Sequence, residues 1–150
     1  MPAFNDLLST ALAYAQLGYP VFPLVPGTKD PLTKHGFKDA TTDPAQIEAW
    51  WTQFPNANIG IPTASLLLLD VDGADNQFLT GERLMEASCG AVSMTPRGGH
   101  HHLFRQPAGR AWRNTEGQLA PHVDTRADGG YFVAPPSQIG DKVYEWLSGF

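Results

Sequence analysis

The chain has a single cysteine, Cys89. One thiol cannot close an internal disulfide, which suits a reducing compartment. No second cysteine is present to share a metal. Cys89 lies between Ala87-Ser88 and Gly90 and reads as a small buried residue. No apolar run approaches about 18 residues, so no membrane span is expected. The opening segment MPAFNDLLSTALAYAQLG lacks a basic n-region and carries Asp6, so no secretory leader is expected and the protein reads as cytoplasmic. Internal repeats and low-complexity linkers are absent. Positive charge is scarce: ten Lys and Arg stand against fifteen Asp and Glu, a net charge of −5. That balance argues against a simple nucleic-acid coat protein.

What is present fits one domain over 1–150. A chain this long hides roughly 68–70% of its unfolded surface. Thirteen prolines and fifteen glycines predict many turns. The charge is uneven. Between Arg97 and Arg126 five arginines face only Glu116 and Asp124, and four of the five histidines lie in the same window. An acidic shell with one basic stretch can grip phosphates locally.

The spacing of Leu8, Leu12 and Ala15 predicts a helix over Phe4 to Leu17, stopped by Gly18. Tyr19 to Val25 reads as a proline-interrupted strand near a sheet edge. In DPAQIEAWW, Asp43 is an N-cap, Pro44 the first helical residue and Gln46 the closing partner of a capping box. Ile47, Trp50, Trp51 and Phe54 form the core face of that helix. NIGIP and SLLLLDVD read as strands, Asn76 to Ser88 as a helix, AVSMT as a strand, PRGG as a turn and HHHLFRQ as a strand. VDTR and GYFVAPP are further strands, with Asp128-Gly129-Gly130 as a hairpin turn between them. KVYEWL alternates like a strand, and the chain is expected to continue beyond it. The whole is an α/β (α+β) domain: a mixed sheet with flanking helices.

Three clusters carry chemistry. In LLLLDVDGAD, four leucines drive a strand into the core and two carboxylates end it. Asp70 and Asp72 face the same side of the strand, with Cα atoms about 6.6 Å apart. Two such acids repel and lose hydration, and a bridging cation relieves both. Hard oxygen ligands suit Mg²⁺ or Mn²⁺. The plain alternative is a strand ending in a polar Asp72-Gly73 turn. In TPRGGHHHLFR, Gly98-Gly99 permits a tight turn with Arg97 at its mouth. Alternation sets His101 with Leu103 and Arg105 on one face, and His100 and His102 with Phe104 on the other. A zinc site from His100, His102 and His122 and a phosphate grip by a histidine beside arginine are both open. In HVDTRADGG, Asp124 ends a short apolar strand, and Arg126 follows on the same face.

The ordered set LDVDG, GGHHHLF and VDTR resembles the primase–polymerase (Prim-Pol) domains of the archaeo-eukaryotic primase superfamily. These carry an acidic D-x-D or D-x-E strand, a small-x-His strand and a hydrophobic-Asp strand. The likeness runs from about Ala11 to Ser137, through VFPLVPGTKDPLTKHGFKDATTDPAQIEAWW and on to GGYFVAPPS. It implies a primase-like catalytic core with an N-terminal αβ module, forming the N-terminal part of a longer replication protein. It assigns Asp70, Asp72 and Asp124 as metal ligands for Mg²⁺ or Mn²⁺ and His101 as the motif histidine. Arg97, Gly98, Gly99, His101 and Arg126 become the nucleotide-binding residues, and Lys29 and Thr63 fall in family-like positions. The implied activity is template-directed nucleotidyl transfer on single-stranded DNA from NTPs or dNTPs, with two metals roughly 3.5–4 Å apart. A helicase or DNA-binding segment, in the same or a partner chain, is the expected source of further grip. Arg110, Trp112 and Arg113 in GRAWRN are candidates for holding the template strand, Trp112 being equally a candidate core anchor.

Two rival functions remain at this stage. LLLLDVDG also resembles the nucleophile strand of haloacid dehalogenase-like phosphatases. Those sites continue with threonine after the glycine, whereas Ala74 follows Gly73 here. The other rival is a non-catalytic module that binds nucleotide or single strands. Three carboxylates argue against it, because gripping an anion does not need them.

Overall fold

Two aspartates start the longest helices. In chain order the elements are α1 (Leu7–Gln16), β1 (Phe22–Leu24), a 3₁₀ turn (Gly36–Asp39), α2 (Pro44–Gln53), β2 (Asn58–Pro62), β3 (Leu66–Val71), α3 (Gly81–Ala87), β4 (Ala91–Met94), β5 (His100–Arg105), β6 (Thr115–Ala120), β7 (Val123–Arg126), β8 (Tyr131–Ala134), β9 (Gln138–Ile139), β10 (Lys142–Val143) and β11 (Glu145–Ser148). Asp6 accepts the Leu8 N–H and caps α1, and Asp43 accepts the Ala45 N–H and caps α2. Each carboxylate satisfies an orphan donor and sits at the positive end of a helix dipole. Gln46 does not close the expected box; the Asp43 N–H donates instead to the Thr41 hydroxyl at 3.1 Å. The computed structural model describes residues 6–149, so Phe4, the expected helix start, lies outside the described residues.

The chain divides into two interleaved units. The first takes the chain up to Pro62 and again over Tyr131–Tyr144; the second takes Thr63–Gly130 and the residues from Glu145 on. In the first unit a three-stranded sheet runs in the order β1-β2-β8. Phe22, Leu24, Val133 and Tyr144 form its core, with Trp50, Phe37 and Tyr131 packed against them. Helix α1 buries Ala11, Tyr14 and Ala15, while the expected Leu8 and Leu12 are only half-buried. The Tyr14 hydroxyl donates to the Pro135 carbonyl. Helix α2 buries Ile47 and Trp51, and the Trp51 indole donates to the Ala57 carbonyl at 2.9 Å.

The second unit is a six-stranded sheet in the order β11-β4-β5-β3-β7-β6. The fold class is α+β, as the sequence predicts. Where a mixed sheet is expected, every pairing of named strands is antiparallel. Strand β3 lies between β5 and β7, and its leucines are buried or half-buried on both faces. Leu68, at 0% exposure, points to one face; Leu69 and Val71 join Val123, Phe104, Leu79 and Ala87 of α3 on the other. Among the described residues no helix is long and apolar enough to cross a membrane.

Several expectations fail for local reasons. The helix expected from Asn76 begins only at Gly81. The Asn76 carboxamide oxygen accepts the Phe78 N–H and its NH₂ donates to the Asp72 carbonyl, so a side-chain turn replaces the first helical turn. Asp128-Gly129-Gly130 is a turn but no hairpin, because β7 and β8 belong to different sheets. KVYEWL splits at Tyr144: β10 pairs with β9, and β11 pairs with β4. Strand β6 is not expected at all. Cys89 is exposed, not buried, since it follows the last turn of α3.

The turn Thr95–Gly99 joins β4 to β5 and closes with the Thr95 N–H on the Gly99 carbonyl at 2.9 Å. Gly98 has φ +82°, a left-handed conformation suited to glycine. Gly99 is required for another reason: a Cβ there would stand 2.4 Å from the Val71 carbonyl oxygen and 3.1 Å from the Asp72 Cα. Those neighbours are backbone of β3 and its extension, so they can give only by moving the strand. Gly99→Ala should therefore destabilise the protein by about 1–3 kcal/mol, the usual cost of overpacking. Chemical denaturation checks it; a variant as stable as the wild type would show that β5 can part from β3 freely.

His102 supplies a second expectation. It is 2% exposed, and its Nδ1–H donates to the Ala87 carbonyl at 3.0 Å. Burial pushes its pKa below the ordinary 6.5, and neighbouring His100 and His101 push the same way against the pull of the Ala87 carbonyl. The folded state thus binds this proton less readily than the unfolded state. The stabilisation is fully present above the unfolded pKa, and it is lost as pH falls from about 6.5 towards the folded pKa. Melting temperatures measured between pH 7.5 and 5 should fall, and the fall should be shallower in His102→Gln, which cannot titrate.

Candidate active site

Antiparallel pairing puts directly opposed residues on one face of a sheet. Asp70 of β3 is opposed on one side by His101 of β5 and on the other by Asp124 of β7. Ser93 of β4 opposes His101 in turn. One row therefore crosses the second unit in the order Ser93, His101, Asp70, Asp124. Neighbouring Cβ atoms in such a row lie about 4.5–5.5 Å apart. The next row along the same face carries Leu103, Leu68 and Arg126, and the row after it carries Arg105 opposite Leu66.

The row is only partly wetted. The Asp70 side chain is 19% exposed and that of His101 8%, with His101 Nε2 3.5 Å from Asp70 Oδ1. Asp124 Oδ1 accepts the Gly117 N–H at 2.9 Å. That donor comes from β6, the strand whose residues are almost all exposed and which shows no apolar alternation. Ser93 is fully buried, and its hydroxyl has no hydrogen-bond partner among the described residues. A lone serine inside the apolar run AVSM was the one signal that could have drawn attention to it.

Asp72, Arg97, Gly98 and Gly99 come together at the end of β3. Asp72 stands one residue past the strand, its N–H donating to the His122 carbonyl at 2.9 Å. Its carboxylate is 3.8 Å from the Arg97 guanidinium, itself 81% exposed. A pair so exposed is weak, so moving Arg97 onto another anion costs little. Gly98 and Gly99 hold that turn against Gly73 and Ala74. His100 and His102 occupy the opposite face, with ring centroids 6.1 Å apart. His122 contributes its backbone to the Asp72 contact, and the zinc alternative gains no support. Thr63 is fully buried, its hydroxyl donating to the Ala127 carbonyl at 2.6 Å, so it serves the framework. Lys29 belongs to the first unit, where its carbonyl accepts the Tyr131 hydroxyl at 2.7 Å.

The donor chemistry fits a hard divalent cation. Asp70 and Asp124 are abreast, repel one another and offer only oxygen. Among the described residues no group of three or more His, Cys, Asp or Glu is gathered closely enough to hold a metal ion. Two carboxylates with water and substrate phosphates filling the other positions is a pattern typical of Mg²⁺.

The loop between β5 and β6 carries the second basic feature. The Arg110 guanidinium lies over the Trp112 ring at 4.0 Å, and the Trp112 indole donates to the Pro107 carbonyl at 3.1 Å. Trp112 is thus held by its own loop, half-buried, with Arg110 and Arg113 exposed beside it.

No curated protein matches the chain. A family model does: "Bifunctional DNA primase/polymerase, N-terminal" matches residues 11–149. The chain belongs to the Prim-Pol family of bifunctional DNA primase/polymerase N-terminal domains.

Proposed function

We propose that this domain catalyses template-directed nucleotidyl transfer, making or extending primers on single-stranded DNA from NTPs or dNTPs. The observation that carries the reading is the row in which Asp70 is flanked directly by His101 and Asp124. Asp70 and Asp124, with Asp72 nearby, would hold Mg²⁺ or Mn²⁺. When bound, such cations supply Lewis-acid activation of a 3′-hydroxyl and neutralise a leaving pyrophosphate. His101, whose Nε2 is 3.5 Å from Asp70 Oδ1, would donate to a nucleotide phosphate. Arg126 lies one row along the same face and Arg97 at the turn, both suited to charge that develops during transfer. A phosphatase reading of the DVDG segment gives His101 and Asp124 no part. A helicase or DNA-binding segment in the same or a partner chain would supplement the grip of this acidic domain.

Primer extension with labelled nucleotide on a primed and an unprimed single strand tests the proposal. Incorporation should require Mg²⁺ or Mn²⁺ and stop on chelation. Asp70→Asn should lower it by on the order of 10²-fold or more, the scale seen when a preorganised electrostatic contact is removed. His101→Ala should weaken nucleotide binding about tenfold to a hundredfold, as loss of a hydrogen bond to a charged group does. His100→Ala, on the opposite face, should act like the wild type. Phosphate release from an aryl phosphate ester, with no incorporation, would point to the phosphatase alternative.

The Arg110–Trp112 pair suits a single strand, because an indole stacks on any base and guanidinium charge meets phosphate. Trp112→Ala should weaken binding of a single-stranded oligonucleotide by about 1–3 kcal/mol. Arg113→Ala should instead make the salt dependence shallower, since each lost phosphate contact removes about 0.7 from the slope of log K against log salt. Titrations at several salt concentrations check both. An unchanged slope in Arg113→Ala would remove that residue from the template path.

A further inference from the structure

A cavity in the first unit lies far along the sequence from the acidic row. It has a volume of about 670 Å³, within the size range of small-ligand sites. One wall is α2. Gln46, Trp50 and Gln53 are spaced four and three residues apart, so they share one helix stripe. The neighbouring stripe, Ile47 and Trp51, is buried in the core. The cavity wall is therefore a helix stripe exposed at both glutamines, with Trp50 between them packed in part against the core.

The other wall is the loop before α2, and it is built rigidly. Thr41 and Val21 exchange two backbone hydrogen bonds at 3.0 Å, and the Leu32 N–H donates to the Pro23 carbonyl at 3.0 Å. The Thr33 hydroxyl donates to the Gly36 carbonyl at 2.7 Å. Asp39 accepts the His35 N–H at 2.9 Å, a bond that also holds its carboxyl below the ordinary range. Asp43 caps α2. The loop's hydroxyls and carboxylates are thus engaged inside the protein. The amides of Gln46 and Gln53 make no hydrogen bond among the described residues, and Lys34 stands exposed beside them.

The charges lining the cavity are Lys34 against Asp39 and Asp43. That balance disfavours a triphosphate. The neutral groups point elsewhere. Trp50, half-buried and packed in part against the core, lines the cavity with an aromatic ring. The two amides flank it about 10.5 Å apart along the helix axis, seven residues at 1.5 Å each. A planar heterocycle laid on the indole would present an edge to each amide. A glutamine amide, with a donor and an acceptor side by side, matches the edge of a purine.

We propose that this cavity takes one unpaired purine base of a single-stranded nucleic acid, stacked on Trp50 and held by Gln46 and Gln53, with Lys34 at the flanking phosphate. The proposal rests on the reading of the chain as a primase–polymerase and adds a second strand contact, in the other unit from the acidic row.

The probe is a short oligodeoxyadenosine carrying one 2-aminopurine, titrated in EDTA so that no metal-dependent binding contributes. Stacking on an indole should quench the 2-aminopurine emission. The exposed pair Gln46→Ala with Gln53→Ala should weaken binding about tenfold, as loss of one good base-edge contact does. Its melting curve should match the wild type. Asp70→Asn should keep the quenching, and Trp112→Ala, although it binds the strand more weakly, should reach the same quenching once protein is saturating. Unquenched emission, unchanged affinity in the double glutamine variant, or quenching absent at saturating protein in Asp70→Asn or Trp112→Ala would overturn the proposal. So would adenosine monophosphate competing as well as the oligonucleotide, because the base would then not need its strand. Failure of primer extension with this quenching intact would remove the catalytic reading and leave the cavity standing.

Discussion

The register of β3 against its two neighbours governs everything else in the second unit. Side chains on a strand alternate, so a slip of one residue would move Asp70 and Asp124 to the face now held by Val71, Val123 and Leu79. Burying unpaired carboxylates among those residues is costly, and neither strand can tolerate the slip. The leucines, the buried Val123 and the close approach at Gly99 all favour one alignment. That alignment sets His101, Asp70 and Asp124 in line. The hydrophobic pattern and the acidic row are thus two consequences of a single pairing.

The same pairing arranges charge along the strands. The carboxylates occupy one row, Arg126 the next and Arg105 the one after, all on one face. A chain of net charge −5 would repel a polyanion approaching at random. Here the negative groups are concentrated where a cation would neutralise them, and the positive groups follow along the same face. This local ordering of charge, more than the global balance, is what makes an acidic domain compatible with nucleic-acid chemistry.

Much of this was legible in the sequence, and what escaped did so for identifiable reasons. Strand alternation alone separated His101 from His100 and His102, because three successive side chains cannot share a face. Asp43-Pro44 announced α2, since capping chemistry is local. The resemblance to primase–polymerase domains named the three acids before any geometry was known, but only the fold shows that Asp70 and Asp124 are direct partners while Asp72 lies past the strand end beside Arg97. Strand β6 was missed because its residues are mostly exposed, so no apolar period marks them; its backbone nonetheless supplies the Gly117 donor to Asp124. The Asp128-Gly129-Gly130 turn looked like a hairpin because turn chemistry reports a change of direction and says nothing about which strands pair afterwards.

The interleaving of the two units bears on how such a site can form. The acidic row draws on residues 70, 101 and 124, all inside the stretch 63–130 that interrupts the first unit. That stretch closes on itself at its base, where the Thr63 N–H donates to the Gly130 carbonyl at 2.9 Å and the Thr63 hydroxyl to the Ala127 carbonyl. The entropy of closing a loop grows only slowly with its length, so a long excursion costs little more than a short one once its ends are joined. In the first unit the flanking residues Pro62 and Tyr131 are themselves register partners of β2 and β8. Each unit therefore brings the two ends of the stretch together by its own hydrogen bonds. The buried Thr63 acts through this closure: its hydroxyl ties the start of the stretch, from which β3 departs, to Ala127, at which β7 has ended, and so it bears on the line of Asp70 and Asp124 from outside their row.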